Sequence, residues 1–153
     1  MTDKLAIFVE GQTEQVLVEA LIYEIAGRHK VHIDTLRGHG GRQYPRQFVE
    51  LNATGPDPKK RYYVIIYDSA TDGRVLSDIR DHYERLTEEG FREVIGFHDL
   101  YPIPRENEAE VRKDFADLSP QGTVPVTLSL AVMEVEAWFI AEHTHTSSGL
   151  ATV

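Results

Sequence analysis

Two acidic residues stand directly after apolar runs in this sequence, and they are its strongest candidates for chemistry. Glu10 follows the run 5–9, and Asp68 follows the run 62–67. A short apolar run without polar alternation is typical of a strand buried on both faces of a parallel sheet. Ligands of open α/β sheets bind outside the carboxyl ends of such strands. We therefore expect both carboxylates to face a substrate at one edge of a sheet.

Carboxylate oxygens grouped without Cys or His are hard ligands, and they select Mg²⁺ or Mn²⁺ rather than zinc. Asp72 stands four residues after Asp68 and is expected to join Glu10 and Asp68 around the ion. Such ions keep bound waters, activate an attacking water and neutralise phosphate charge. The pattern therefore predicts metal-dependent phosphodiester hydrolysis that needs no protein nucleophile.

Each acid also has a structural explanation. Taken alone, Asp68 is better explained as an Asx turn or a helix N-cap before Arg74, and Asp72 with Gly73 as an ordinary turn pair. Glu10 is harder to explain in this way, because Glu caps helices less readily than Asp, Ser or Thr. Two strands end independently in an acid. This coincidence supports a metal site more strongly than either acid does by itself.

Further acids stand near the end of the chain, where Glu134 and Glu136 flank an apolar helix start. Delivered by a last strand to the same sheet edge, Glu136 would be another metal ligand. For Glu136 an equal alternative is a solvent-facing carboxylate with Trp138 and Phe139 in the core, and for Glu134 this alternative is favoured. His143 and His145 would bind only adventitious metal.

Basic residues flank the glycine-rich loop 38–41, and they could receive phosphate groups. They are Arg37, Arg42 and Arg46. His39 is a candidate proton shuttle by position. A plain turn with solvated side chains is the more common outcome for such a loop, which lacks the Lys-Ser/Thr of a P-loop and the spacing of a dinucleotide fingerprint.

Composition sets limits on these hypotheses. The chain has 153 residues, a net charge of −9 and no Cys, so disulfides, thiolate metal sites and a Cys nucleophile are excluded. No segment approaches the ~20 apolar residues of a membrane span, and the first residues show no signal-peptide pattern, so we expect a cytoplasmic protein. The acidity is unfavourable for a free-standing nucleic-acid binder, because phosphate contacts supply most non-specific affinity.

Hydrophobic periodicity predicts alternating strands and helices. Strands are expected at 5–9, 31–36, 62–67, 94–97 and 124–132, and helices at 13–28, 75–90, from 105 towards 118, and at 133–142, with a weaker helix at 45–51. Thr13 is the expected N-cap of the first helix. This order predicts an α/β fold with a mostly parallel central sheet of four to five strands and helices on both faces. Residues 1–142 would form one domain and residues 143–153 a loose tail.

The stretch 8–14, Phe-Val-Glu-Gly-Gln-Thr-Glu, resembles the first motif of the TOPRIM (topoisomerase-primase) fold, an apolar strand followed by Glu, Gly and a helix. In that family the Glu is catalytic or binds metal, and an Asp-x-Asp motif after the third strand binds Mg²⁺. The resemblance carries these roles to Glu10 and Asp68. Asp72 departs from the motif, because the two acids here are four residues apart rather than two.

The first motif and residues 134–142 together are similar to small bacterial TOPRIM-like proteins associated with phage defence, and more distantly to the nuclease half of overcoming-lysogenization-defect proteins. These relatives imply Mg²⁺-dependent cleavage of DNA or RNA, often beside an ATPase partner protein. Such a partner would supply the basic surface that this chain lacks. A homo-oligomer is a further arrangement left open.

Two other functions compete with the nuclease. The altered acid spacing suits a non-catalytic regulatory or interaction subunit with a degenerate metal site. A phosphoacceptor receiver domain would also place an Asp where Asp68 stands, but it needs paired acids after the first strand and a Lys after the last. This chain offers Glu10 with Gly11, and residues 131–133 are Ala-Val-Met.

Overall fold

The computed structural model describes residues 1–71, 73–99, 105–118 and 124–131. Within them the strands are β1 (Asp3–Val9), β2 (Val31–His39), β3 (Gln47–Asn52), β4 (Tyr62–Asp68), β5 (Glu93–Asp99) and β6 (Val126–Ala131). The helices are α1 (Gln12–Ala26), α2 (Val75–Glu88) and α3 (Glu108–Ala116), the last preceded by a 3-10 turn at Arg105–Asn107. The predicted helix 133–142 and tail 143–153 lie outside the described residues. No helix of the described ranges is long and apolar enough to cross a bilayer.

The strands form one six-stranded sheet in the order β3-β2-β4-β1-β5-β6. All neighbouring pairs are parallel except β2 and β3, which are antiparallel. The expectation of a mostly parallel α/β sheet with helices on both faces is therefore confirmed. The expected number of four to five strands is wrong, because β3 adds a strand at one edge.

The weak helix expected at 45–51 is wrong, because this stretch contains β3. Phe48 anchors the strand, with its ring lying edge-on to Tyr67 at 5.2 Å and to His82 at 5.0 Å. Antiparallel pairing with β3 provides hydrogen-bond partners for backbone groups that would be unpaired if β2 were the edge strand. Tertiary packing of one aromatic ring thus outweighs a weak helical preference.

The first helix begins one residue earlier than predicted, and Thr13 is not its cap. The Gln15 amide donates to the Gly11 carbonyl at 3.1 Å, so Gly11 is the capping residue and no side chain caps the helix. Glycine is an accepted N-cap because it adopts extended backbone easily. Glu14 lies in the first turn, where its negative charge is favourable to the helix dipole.

Two apolar clusters fill the two faces of the sheet. One joins α1 to the sheet and has these buried members: Ile7, Val9, Val18, Val31, Ile33, Val64 and Ile66. The other joins α2 and α3 to the opposite face, through Ala6, Phe8, Tyr67, Val75, Ile79, Leu86 and Phe115 among others. Alternate residues of β1 and β4 therefore point to opposite clusters.

Candidate functional site

The site lies where β1 and β4 end side by side. These strands are parallel neighbours, with Val9 paired to Asp68. The helix after β1 packs on one face of the sheet and the helix after β4 packs on the other. The chain therefore leaves the two strands towards opposite faces, which is the arrangement beside which open α/β sheets bind ligands. The predicted adjacency of the two acid-bearing strands is confirmed.

Strand alternation separates the two carboxylates. Asp68 follows the β4 pattern onto the α1 face, whereas Glu10, one residue beyond Val9, lies on the α2 face. The Ser69 amide donates to the Val9 carbonyl at 2.8 Å, so parallel pairing continues past the strand ends. Ser69, rather than Asp68, is the residue directly across from Glu10.

Glu10 is 6% exposed and is held by groups on the α2 face. Its Oε1 lies 2.6 Å from Nδ1 of His98, near the end of β5, and 3.5 Å from the Gly73 amide before α2. The His98 side chain is itself only 11% exposed. Because the Phe8–Gly96 pairing of β1 and β5 places His98 level with Glu10, neighbouring strands bring the two together.

Asp68 is 1% exposed and is bound by two donors. Arg37 Nε donates to Oδ2 at 3.0 Å, and the Ala70 amide donates to Oδ1 at 2.8 Å. The second bond is an Asx turn, and it accompanies a left-handed Ala70 with φ of 58°. Asp68 thus has the turn role that the sequence allowed, together with an ion pair to the neighbouring strand.

A line of charged and titratable side chains, here called the charged line, therefore crosses the ends of β2, β4, β1 and β5, with the two carboxylates in the middle and a basic side chain at each end. Its members in that order are Arg37, Asp68, Glu10 and His98. The sequence reasoning missed His98. It stands directly after the apolar run 94–97, so the rule applied to Glu10, that a polar residue following a buried strand faces the crevice, would have found it.

Ser69 completes the arrangement on the α2 face. It is fully buried, and its hydroxyl is the one buried side-chain polar atom in the described ranges without a hydrogen-bond partner. Buried hydroxyls normally have a partner, since leaving one unpaired costs about 1–3 kcal/mol. A water or ligand atom near the strand ends would supply it.

The basic residues around the glycine loop have different roles. The Arg46 guanidinium donates to both carboxylate oxygens of Asp78, at 3.1 and 2.7 Å, and to the Ser69 carbonyl at 2.7 Å. Its side chain is 12% exposed, so Arg46 ties α2 to the end of β4 and is not open to a phosphate. Arg42 and His39 are exposed, and the Arg37 side chain is 37% exposed.

The glycines let this loop lie against two guanidinium groups. A Cβ on Gly41 would overlap the Arg74 guanidinium, and one on Gly38 would lie 2.5 Å from Nη2 of Arg46. Strand β2 continues through Gly38 and His39, so the loop is shorter than the sequence predicted. Close packing is the reason for glycine at Gly38, and at Gly41 close packing adds to the demand of a positive φ of 101°.

The described residues fit a divalent cation in ligand type. Glu10 and Asp68 offer two carboxylates, and Mg²⁺ is commonly held by one or two carboxylates with waters and substrate phosphates. A metal-bound water would also give the Ser69 hydroxyl a partner. No three His, Cys, Asp or Glu side chains in the described part of the chain are grouped to hold an ion by themselves. Asp72, Glu134 and Glu136 lie outside that part.

Comparisons with protein-family models, curated proteins and solved structures gave no match.

Proposed function

We propose that this chain is a Mg²⁺-dependent, nuclease-like TOPRIM domain that hydrolyses phosphodiester bonds in nucleic acid. The observation that carries the proposal is the parallel pairing of β1 with β4, which brings Glu10 and Asp68 to neighbouring strand ends. They flank the crevice between strands whose following helices lie on opposite faces, the usual ligand site of such sheets.

The residues of the charged line take separate roles in this proposal. Glu10 and Asp68 hold the cation from the two faces of the sheet, and Glu10 accepts a proton from the attacking water. Arg37 has a more exposed side chain than His98, the residue at the other end of the line. It moves from Asp68 to a phosphate oxygen when substrate arrives. The bound ion supplies an acidified water and neutralises charge on the phosphate.

The net charge of −9 bears on the partner. A chain this acidic repels nucleic acid over most of its surface, and Arg37, Arg42 and Arg74 provide only a local basic surface beside the site. An ATPase partner protein with a basic groove would overcome this repulsion. We place the pair in the cytoplasm, in bacterial defence against phage, because of the resemblance of the 8–14 motif.

The test is cleavage of DNA and RNA by purified protein with Mg²⁺ or Mn²⁺. We expect Glu10→Gln and Asp68→Asn each to lower cleavage by at least about 100-fold, since each removes a group that holds the cation or moves the proton. Glu50→Gln and Asp81→Asn, which change exposed acids of β3 and α2, are the matched controls. Cleavage that survives in both site variants would refute the proposal.

A non-catalytic interaction subunit is the second candidate. The observation that favours it is that protein groups already bind both carboxylates, His98 on Glu10 and Arg37 on Asp68. Calorimetry separates the two candidates. Absence of Mg²⁺ and Mn²⁺ binding, together with co-purification of an ATPase, would establish the subunit and exclude the nuclease.

A further inference from the structure

His98 brings an imidazole to an edge of the sheet where the sequence led us to expect only oxygen ligands. Its Nδ1 lies 2.6 Å from Oε1 of Glu10, and both side chains are nearly buried. The contact stabilises the buried Glu10 side chain, because burying a carboxylate is costly unless it is paired and hydrogen-bonded.

Neighbouring residues hold the imidazole in place. The ring of Phe115 in α3 lies 6.0 Å from the His98 ring, centroid to centroid, at an interplanar angle of 35°. Gly96 leaves room for that phenyl ring, since a Cβ there would lie 2.6 Å from Phe115 Cε1. Packing thus fixes the ring with Nδ1 directed at the Glu10 carboxylate.

The spacing of the two atoms suits shared binding of an ion. Two adjacent ligands of an octahedral ion, each about 2.1 Å from the metal, are roughly 3 Å apart. The Nδ1–Oε1 distance of 2.6 Å needs to widen only slightly when an ion replaces the proton between them. The unpartnered hydroxyl of Ser69, across from Glu10, would then accept or donate a hydrogen bond to a metal-bound water.

We infer that His98 and Glu10 bind the same divalent ion, and that the site therefore prefers Mn²⁺ to Mg²⁺. This inference rests on the proposed function and specifies its metal centre. A nitrogen ligand favours first-row transition ions, whereas Mg²⁺ prefers oxygen ligands and binds imidazole poorly.

Calorimetry and pulsed electron paramagnetic resonance of bound Mn²⁺ test the inference together. We expect wild-type protein to bind Mn²⁺ at least about tenfold more tightly than Mg²⁺, and its bound Mn²⁺ to show nitrogen coupling from one imidazole. His98→Asn keeps a side-chain amide that can donate to Glu10 but removes the imidazole. In this variant the nitrogen coupling should vanish and the Mn²⁺ preference should fall about tenfold, with Mg²⁺ affinity little changed.

His39→Asn is the matched control, because His39 lies exposed at the end of β2. It should retain both the coupling and the preference. Mn²⁺ binding without nitrogen coupling, or coupling that survives in His98→Asn, would overturn this inference and leave the proposed function standing. Failure of wild-type protein to bind either ion would overturn the proposed function itself.

Discussion

Glu10 and Asp68 end two neighbouring strands, yet their side chains lie on opposite faces of the sheet. The residue paired with Asp68 is Val9, so Glu10 comes one position later and alternation turns it to the α2 face. Each carboxylate consequently has its own cationic or hydrogen-bonding partner, His98 for Glu10 and Arg37 for Asp68. The partner of either carboxylate can therefore be replaced without touching the partner of the other.

Replacing Arg37 should weaken folding and strengthen metal binding. Arg37→Met leaves the buried Asp68 carboxylate with the Ala70 amide as its remaining described donor. Breaking a fully buried ion pair lowers the free energy of unfolding by about 3–5 kcal/mol. Because Arg37 is partly exposed, solvent screening reduces the expected loss to about 1–3 kcal/mol. Urea denaturation measures that loss, and calorimetry should show Mn²⁺ binding several-fold more tightly.

Arg42→Met is the control for this change, because Arg42 lies exposed in the neighbouring loop. It should alter neither stability nor metal affinity appreciably. Weaker Mn²⁺ binding in Arg37→Met would show that Asp68 is not a metal ligand.

Alanine at Gly41 should cost more stability than alanine at Gly55. Both glycines have positive φ, 101° and 80°, and that backbone conformation costs an L-residue about 1–2 kcal/mol. At Gly41 the new Cβ also meets the Arg74 guanidinium, whereas at Gly55 it enters open space. Overpacking adds about 1–3 kcal/mol for Gly41→Ala. Equal losses in urea denaturation would contradict the described contact between this loop and α2.

Asp34 should make folding sensitive to acid. Burial acts to raise its pKa, but four hydrogen bonds outweigh burial and hold the pKa below its usual value. The donors are the Tyr63 hydroxyl at 2.7 Å, the Thr54 amide at 3.1 Å, the Gly55 amide at 2.8 Å and the His32 ring at 2.8 Å.

A depressed folded-state pKa means that Asp34 stabilises the fold fully above its unfolded value of about 3.9. The contribution is lost as the pH falls through the folded-state pKa. Urea denaturation at falling pH should therefore show a loss of stability in the wild type that begins near about pH 4 and continues below it. Asp34→Asn should be less stable by about 1–3 kcal/mol at pH 7 and should lose less on acidification. Parallel curves for the two proteins would refute this role.

His82 should remain neutral in the folded protein at pH 7. Burial lowers its pKa, because the ring packs against Phe8, Phe48 and Tyr67 at centroid distances of 5.8, 5.0 and 4.9 Å. Nδ1 lies 2.8 Å from the Asp78 carbonyl and must carry the proton that this acceptor binds.

The unfolded chain binds a proton at His82 near about pH 6.5, whereas the folded chain binds it only at lower pH. The stabilisation from the neutral His82 ring therefore declines below about pH 6.5 and is lost as the pH falls through the folded-state pKa. Nitrogen-detected NMR titration should find that the His82 ring has a pKa below its ordinary value. His82→Phe should flatten the decline in unfolding free energy between pH 7 and pH 5. An unchanged slope would show that His82 is not the responsible group.

Strand β3 and the role of His98 are the two features that the sequence did not predict. Residues 45–51 carry a weak helical pattern, and only the docking of Phe48 on Tyr67 and His82 makes them a strand. The strand-end rule would have named His98 as a site residue, but no local pattern indicates that its partner is Glu10, 88 positions away.

The sequence by itself determined the apolar runs, the alternation of strands and helices, and the placement of Glu10 and Asp68 at strand ends. These features are local, because burial on both faces requires an uninterrupted apolar run and the next polar residue must leave the core. Only the tertiary structure decided which strands are neighbours, on which face of the sheet each carboxylate lies, and which side chain each carboxylate contacts. Those outcomes depend on pairing register and on contacts between residues far apart in the chain, and a register shift of one residue would exchange the two faces.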